Sequence, residues 1–348
     1  MRTRFVWVLP VWLLVACSGR GGTGVEAEDV FVEIEVEIRD EEARLDTAGT
    51  KYPKDDLLRV NHLQARGTHN SYHMFPPEGC GDLCIEYQYE CAPLDVQLAE
   101  QGVRQFELDL HSPAGEGTAV YHTVIIDENT TCRGFTECMA VIKGWSDANP
   151  GHHPVFVMLE AKIHEIFPES FDLDYAALEQ EISSVWPRER LLTPDDVRGD
   201  HPDLRTAVMA DGWPTLGESR GRIVFYLHNH WQAYAEPDPA LTGRLLFVNA
   251  NPEHPSAAIM ARDNPIGDEE EIRALVEQGF LIRTRTDSGL SPNPARLEAA
   301  LRSGAHFLST DFPVPAEPGG YFADIPGGAP SRCNPVTAPA NCESSDIE

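Results

Sequence analysis

A chain of 348 residues with 42% apolar content can bury one large core, and a single α/β barrel needs about 250 residues. With 56 acidic against 27 basic residues and a formal net charge of −29, the chain has no electrostatic footprint for a phosphate backbone, which excludes nucleic acid as a partner. The same charge opposes approach to an anionic bilayer unless a local basic patch, a lipid anchor or calcium bridging offsets it.

The first residues read as a bacterial export signal. Arg2 and Arg4 precede an apolar run from Phe5 to Ala16 that is too short to span a bilayer as a mature helix. The run ends in Leu14-Val15-Ala16-Cys17, which resembles a lipobox, whose cysteine is acylated and becomes the mature N-terminus; an ordinary signal peptide cleaved nearby is the alternative. Residues 1–17 are thus expected to be a lipoprotein signal peptide, and the protein an exported cell-envelope lipoprotein held on the membrane through Cys17. Residues 18–55 carry Glu26-Ala27-Glu28-Asp29 and the alternating stretch from Val32 to Ile38, an acidic density that marks a solvated tether.

From Leu57 onward, strands alternate with helices or loops. The expected strands are His62 to Thr68, Gly102 to Leu110, Thr118 to Thr123, Pro154 to Ala161, Gly221 to His228, Leu245 to Val248, Gly279 to Thr284 and Ala305 to Ser309. Helical signals cover Pro93 to Gln101, Phe135 to Ala148, Tyr175 to Trp186, Pro255 to Arg262, Glu269 to Gln278 and Pro294 to Ser303. Eight strands in this alternation, with no glycine-rich dinucleotide fingerprint after the first, predict a distorted eight-stranded parallel (β/α)8 barrel of the TIM type over residues 56–316. The link from Leu110 to Thr118 is too short for a helix, so the irregularity is expected there. Residues 317–348 form a Pro- and Gly-rich tail. An exported chain favours disulfides; Cys132 with Cys138 and Cys333 with Cys342 are the expected pairs. Cys80, Cys84 and Cys91 can form one bridge among them, with a structural zinc site as the competing reading.

Chemistry-bearing residues collect at the expected strand ends. Glu107 and Asp109 are two apart on one strand and share a face, while Leu108 and Leu110 pack the other way. With the Asn70 amide and Glu160 they offer four oxygen-bearing side chains, a set suited to calcium and not to zinc. For Glu107 alone a salt bridge is an equal reading. His69 and His122 each lie beside such a strand, and two imidazoles can divide proton removal and donation across one displacement at phosphorus. His73, His111, His152, His153, His201, His254 and His306 are read as structural or surface residues. Together these fragments outline a metal-assisted phosphodiester-cleaving site at one barrel rim.

The stretch from Leu57 to Lys162, with His69-Asn70-Ser71-Tyr72-His73 and the fifteen-residue step from Glu107 to His122, resembles the calcium-dependent phosphatidylinositol-specific phospholipase C family, in particular its secreted bacterial branch. The resemblance implies His69 and His122 as the catalytic pair and Asn70, Glu107, Asp109 and Glu160 as calcium ligands. It implies attack by the inositol 2-hydroxyl on the adjacent phosphorus of a membrane phospholipid, giving diacylglycerol and a cyclic inositol phosphate that water can open; a monomer is expected. Which histidine protonates the leaving group stays open. Beyond Ile163 the likeness rests on strand count and on Arg283-Thr284-Arg285-Thr286-Asp287, which resembles a substrate-facing late strand. Lys162, Arg283 and Arg285 are candidate phosphate or inositol contacts, with rim salt bridges an equal reading. The rival enzyme is a glycerophosphodiester phosphodiesterase, which has His-Arg-Gly where this chain has His69-Asn70-Ser71. A non-catalytic barrel lipoprotein is the third reading.

Overall fold

Short, almost uninterrupted apolar runs such as Val155 to Leu159 and Ile223 to Leu227 suit strands covered on both faces, as parallel strands must be. The computed structural model describes residues 51–76, 87–112, 117–162, 173–315, 317–328 and 330–348. Among the described residues, ten strands form one sheet: β1 (Leu63–Thr68), β2 (Val103–His111), β3 (Ala119–Val120), β4 (Val155–Ala161), β5 (Ile223–Leu227), β6 (Leu246–Asn249), β7 (Ala257–Ala261), β8 (Leu281–Arg285), β9 (Phe307–Thr310) and β10 (Ser331–Cys333). β3 and β10 are antiparallel additions to β2 and β1. The other eight pair in parallel, and β1 meets both β9 and β2, which closes the barrel. The seam between β1 and β2 is short and shifts register between Arg66 and Gly67. A side chain at Gly67 would run into Gln105, its Cβ lying 2.1 Å from that residue's Oε1.

Two segments differ from the sequence expectation, and they offset each other in the strand count. Thr118 to Thr123 is no barrel strand: after β2 the chain has no room for the crossover a parallel neighbour needs, so Ala119 and Val120 fold back antiparallel on His111 and Leu110. Pro255 to Arg262 is no helix. Its alanines favour one by propensity, but Ala257 to Met260 are buried on both faces and form β7, between β6 and β8. Burial in a parallel sheet overrides the local preference. The helices Phe135–Ala148 and Pro294–Ser303 have the expected limits. The latter starts on Asn293, whose side chain accepts from Arg296 N, and stops at Gly304, whose φ of 79° is left-handed.

The lipobox, nearly all of the acidic segment, and Cys80 and Cys84 lie outside the described residues. Tyr52 and Asp55 belong to the packed body. Arg220 stacks on the Tyr52 ring at 3.5 Å and pairs with Asp55 at 2.6 Å. The two expected disulfides, Cys132–Cys138 and Cys333–Cys342, are formed, and Cys91 is a free thiol. Beyond the barrel, β10 lies on β1 while Glu348 pairs with Arg104 and accepts from His153 N at 3.1 Å.

Candidate active site

The carboxyl ends of the parallel strands carry the polar groups, where barrel chemistry is done. Asp109 on β2 and Glu160 on β4 are register partners, and Glu107 stands two residues before Asp109 on the same face. Carboxylate oxygens of Glu107, Asp109 and Glu160 lie within 4.8 Å of one another. Leu108 and Leu110, with the opposite parity, are buried in the apolar core. Asn70 follows β1 with φ 44°, a left-handed conformation that asparagine tolerates. Its Nδ2 donates to Tyr89 Oη at 3.0 Å. The loop is tied to β2 twice, since Ser71 N donates to Glu107 O at 3.0 Å and Glu107 N donates to Ser71 Oγ at 2.9 Å.

Three carboxylates this close repel, and the chain balances them with two cations. Arg283, only 2% exposed, pairs with Glu107 and with Asp263, and donates to Ser309 Oγ at 3.0 Å. Lys162 Nζ lies 3.0 Å from Asp109 Oδ2 and 2.9 Å from Glu160 Oε1. Burial opposes ionisation of Glu107, but Arg283 and then His69 and Arg285 hold it below the ordinary carboxylate range. Asp109 fares differently. Burial, reinforced by Glu160 and Glu107, pushes it up to about 8 despite Lys162. Neither Asp109 oxygen has a well-aligned hydrogen bond, although both are buried. With the Lys162 ion pair as their one charged partner among the described residues, these acceptors in the Glu107, Asp109 and Glu160 cluster fit a hard divalent cation.

Both histidines singled out in the sequence are held through Nδ1 by an aspartate. His69, directly after β1, has Nδ1 2.8 Å from Asp311 Oδ1, and its Nε2 stands 3.7 Å from Glu107 Oε1. Asp311 follows β9 and also pairs with Arg285 at 2.9 Å. Burial disfavours its charge, yet the His69 hydrogen bond and the charges of His69 and Arg285 keep it below the ordinary range. His122 follows β3, with Nδ1 2.9 Å from Asp127 Oδ2. The His69 and His122 side chains are 26% and 18% exposed, so both meet solvent at the rim. Lys162, Arg283 and Arg285 all engage carboxylates of the chain.

Asp311, Asp127 and His73 are the residues that sequence reading missed. Asp311 had a usable signal, an acid immediately after a barrel strand; ending that strand at Ser309 hid it. His73, read as structural, is fully buried and contacts Asp127.

Barrel, acidic cation site and aspartate-held histidine pair together define a metal-dependent phosphoric diester hydrolase. The family model described as phosphoinositide phospholipase C, Ca2+-dependent, matches residues 58–117 and 113–335. The chain belongs to that family, and the assignment decides for the phospholipase over the glycerophosphodiester phosphodiesterase. Calcium is accordingly its metal. No match is found among curated protein sequences. Among solved structures, the chain is similar to the calcium-dependent phosphoinositol-specific phospholipase C of a Pseudomonas species in its myo-inositol complex, with 17% identity, a TM-score of 0.56, and coverage of 81% of this chain and 97% of that one. The calcium-dependent phosphatidylinositol-specific phospholipase C of Streptomyces antibioticus gives 17% identity and a TM-score of 0.55, covering 74% and 95%. The phosphatidylinositol-specific phospholipase C of Listeria monocytogenes gives 15% and 0.51, covering 74% and 91%. At these identities the likenesses establish the fold.

With Asp109 as a calcium ligand, its raised value predicts pH-dependent calcium binding. Between its unfolded value near 4 and its folded value of about 8, the folded chain keeps a proton the unfolded chain has released, so Asp109 lowers the stability of the metal-free protein as pH rises through that window. A cation must expel that proton. Calcium affinity should therefore rise by up to about tenfold per unit from pH 6 and level off above about pH 8. Calorimetric titration at pH 6, 7, 8 and 9 checks this, and an affinity flat across the series contradicts it.

Proposed function

We propose that His69 and His122 are the acid–base pair with which this phospholipase converts phosphatidylinositol to diacylglycerol and a cyclic inositol phosphate. The observation that carries the reading is that each imidazole gives its Nδ1 to a buried aspartate. Nδ1–H then donates to the carboxylate and Nε2 is left as the reactive atom. His69 Nε2 stands beside Glu107, a proposed calcium ligand, so it is placed to take the proton of the inositol 2-hydroxyl. His122 is assigned the leaving oxygen of diacylglycerol. Asn70, Glu107, Asp109 and Glu160 would hold the calcium ion, which would supply Lewis acidity toward the inositol hydroxyl and positive charge for the phosphate. Lys162 and Arg285, partly exposed, supply positive charge for phosphate or inositol oxygens. Arg283, the third candidate contact, is fully buried and acts as the fixed counter-charge of Glu107.

His69→Ala and His122→Ala should each lower turnover on the order of 10²-fold or more. The double variant should lose less than the product of the two, because groups acting in one step are non-additive. Phosphorus NMR of the wild-type reaction should show the cyclic phosphate. Rapid cleavage of a substrate lacking the 2-hydroxyl, without any cyclic product from the natural lipid, would instead mean direct attack by water.

The substrate is met at a membrane surface. Met74 and Phe75 follow His73, Ile125 follows His122, and all three are exposed, Ile125 at 80% with a φ of 71° that a β-branched residue rarely adopts. Asn129 Nδ2 joins the two loops by donating to Phe75 O at 2.7 Å. An apolar rim suits a chain too acidic to be drawn to lipid by charge. Residues 1–17 are proposed as the export signal and Cys17 as the lipidated anchor of a monomeric envelope lipoprotein, the acidic segment spacing the barrel from the bilayer. Palmitate labelling should be lost in Cys17→Ser, and the barrel without residues 1–50 should bind vesicles less well as Phe75→Ala/Ile125→Ala. Retained label, or vesicle binding that the rim substitutions leave unchanged, sinks the respective claim.

A further inference from the structure

A third imidazole sits behind the catalytic pair. His73 is fully buried, with Nδ1 3.1 Å from the Tyr89 carbonyl oxygen and Nε2 2.7 Å from Asp127 Oδ2. A carbonyl oxygen only accepts, so Nδ1 carries a proton. The same Asp127 oxygen takes the Nδ1–H of His122 at 2.9 Å, while Oδ1 is buried and has no hydrogen-bond partner among the described residues. A second proton must then lie between His73 Nε2 and Asp127 Oδ2, since otherwise two bare lone pairs would face each other. Wherever along that contact the proton rests, His73 and Asp127 together carry no net charge.

We propose that His73 is a positioning residue for His122: it neutralises Asp127, so that the aspartate fixes the tautomer and plane of the His122 ring without over-stabilising its imidazolium. His122 then gives up its proton to the leaving oxygen. This rests on His122 being the general acid. The other dyad shows the same construction with a permanent charge, for Asp311 is shared between His69 and Arg285. Here the counter-charge is itself an imidazole.

The surroundings leave that task to His73. Among the described residues, the side chains donating to Asp127 are those of His122 and His73. Tyr89 stacks on His73 with ring centroids 4.1 Å apart, and Tyr87 meets His122 edge-on at 4.9 Å. Burial raises Tyr89 above its ordinary range and the Cys91 thiol to about 12, so both are neutral at working pH. The charges acting on them are Asp311 and Asp109 at Tyr89, and Asp311 and Glu90 at Cys91. Glu128, next to Asp127, is paired with Arg133 at 2.8 Å. The loop is independently shaped, since Thr123 and Asp127 exchange backbone hydrogen bonds at 2.9 and 2.8 Å. Replacing the His73 ring therefore alters the electrostatics of Asp127 more than the path of the chain.

The test compares the full-length, calcium-saturated wild type with His73→Gln, which keeps one donor for Asp127 but removes the shared proton, and with His73→Phe. Turnover should fall about tenfold in the first and further in the second, with KM nearly unchanged. In both, the alkaline limb of kcat/KM should move up by about one pH unit, because a bare carboxylate now faces His122. Adding Asp127→Asn to His73→Gln should bring the limb back down. Nitrogen-15 spectra of His122 should show the same upward and downward movements. If either variant loses activity with the limb and the His122 titration unmoved, His73 is only a packing residue and the proposal fails. Should His73→Phe not fold, His73→Gln alone decides. In the wild type, the absence of a hydrogen-bonded proton between His73 Nε2 and Asp127 also overturns it.

Discussion

Three carboxylates forced together at the carboxyl ends of β2 and β4 are the constraint on which the rest of the site depends. The barrel imposes their proximity: parallel register sets Asp109 beside Glu160, and the two-residue strand period brings Glu107 to the same face. Charges at this spacing and depth stand together only if cations stand with them. Arg283 meets Glu107 from β8, and Lys162 meets Asp109 and Glu160 from the end of β4. The balance remains incomplete at Asp109, whose oxygens are buried without aligned donors. That shortfall is what the proposed calcium ion would correct.

The histidines show a complementary arrangement. Each needs an anion at Nδ1 to fix its tautomer, yet a fully charged aspartate would raise the basicity of the ring and blunt it as a proton donor. Asp311 is moderated by Arg285. The carboxylate cluster and the histidine pair touch where His69 Nε2 lies 3.7 Å from Glu107 Oε1, as the proposed roles of base and calcium ligand require.

Much of this was legible in the sequence, for identifiable reasons. Strand periodicity placed Glu107 and Asp109 on one face, and the rule that barrel chemistry follows strand ends picked out His69, Asn70 and Glu160. The eight-stranded barrel was read correctly although one expected strand was the antiparallel fold-back at Ala119 and one expected helix was β7. An alanine-rich buried strand and a short helix look alike in one dimension. Asp127 was invisible because its bonds to His73 and His122 join loops that no sequence period relates. Asp311 was lost to a strand boundary misplaced by one residue. The pairing of Lys162 and Arg283 with the carboxylates is set by three-dimensional register, which sequence spacing left undecided between substrate contact and salt bridge.

The central claim is that one calcium ion completes the carboxylate cluster and takes over the neutralisation that Lys162 provides in part. A crystal structure with calcium, located by its anomalous signal, tests this most directly. The account predicts a single ion within about 2.3–2.6 Å of oxygens from Asn70, Glu107, Asp109 and Glu160, with the Lys162 ammonium moved away from Asp109. An ion bound elsewhere, or Lys162 still seated between Asp109 and Glu160 in saturating calcium, would contradict it.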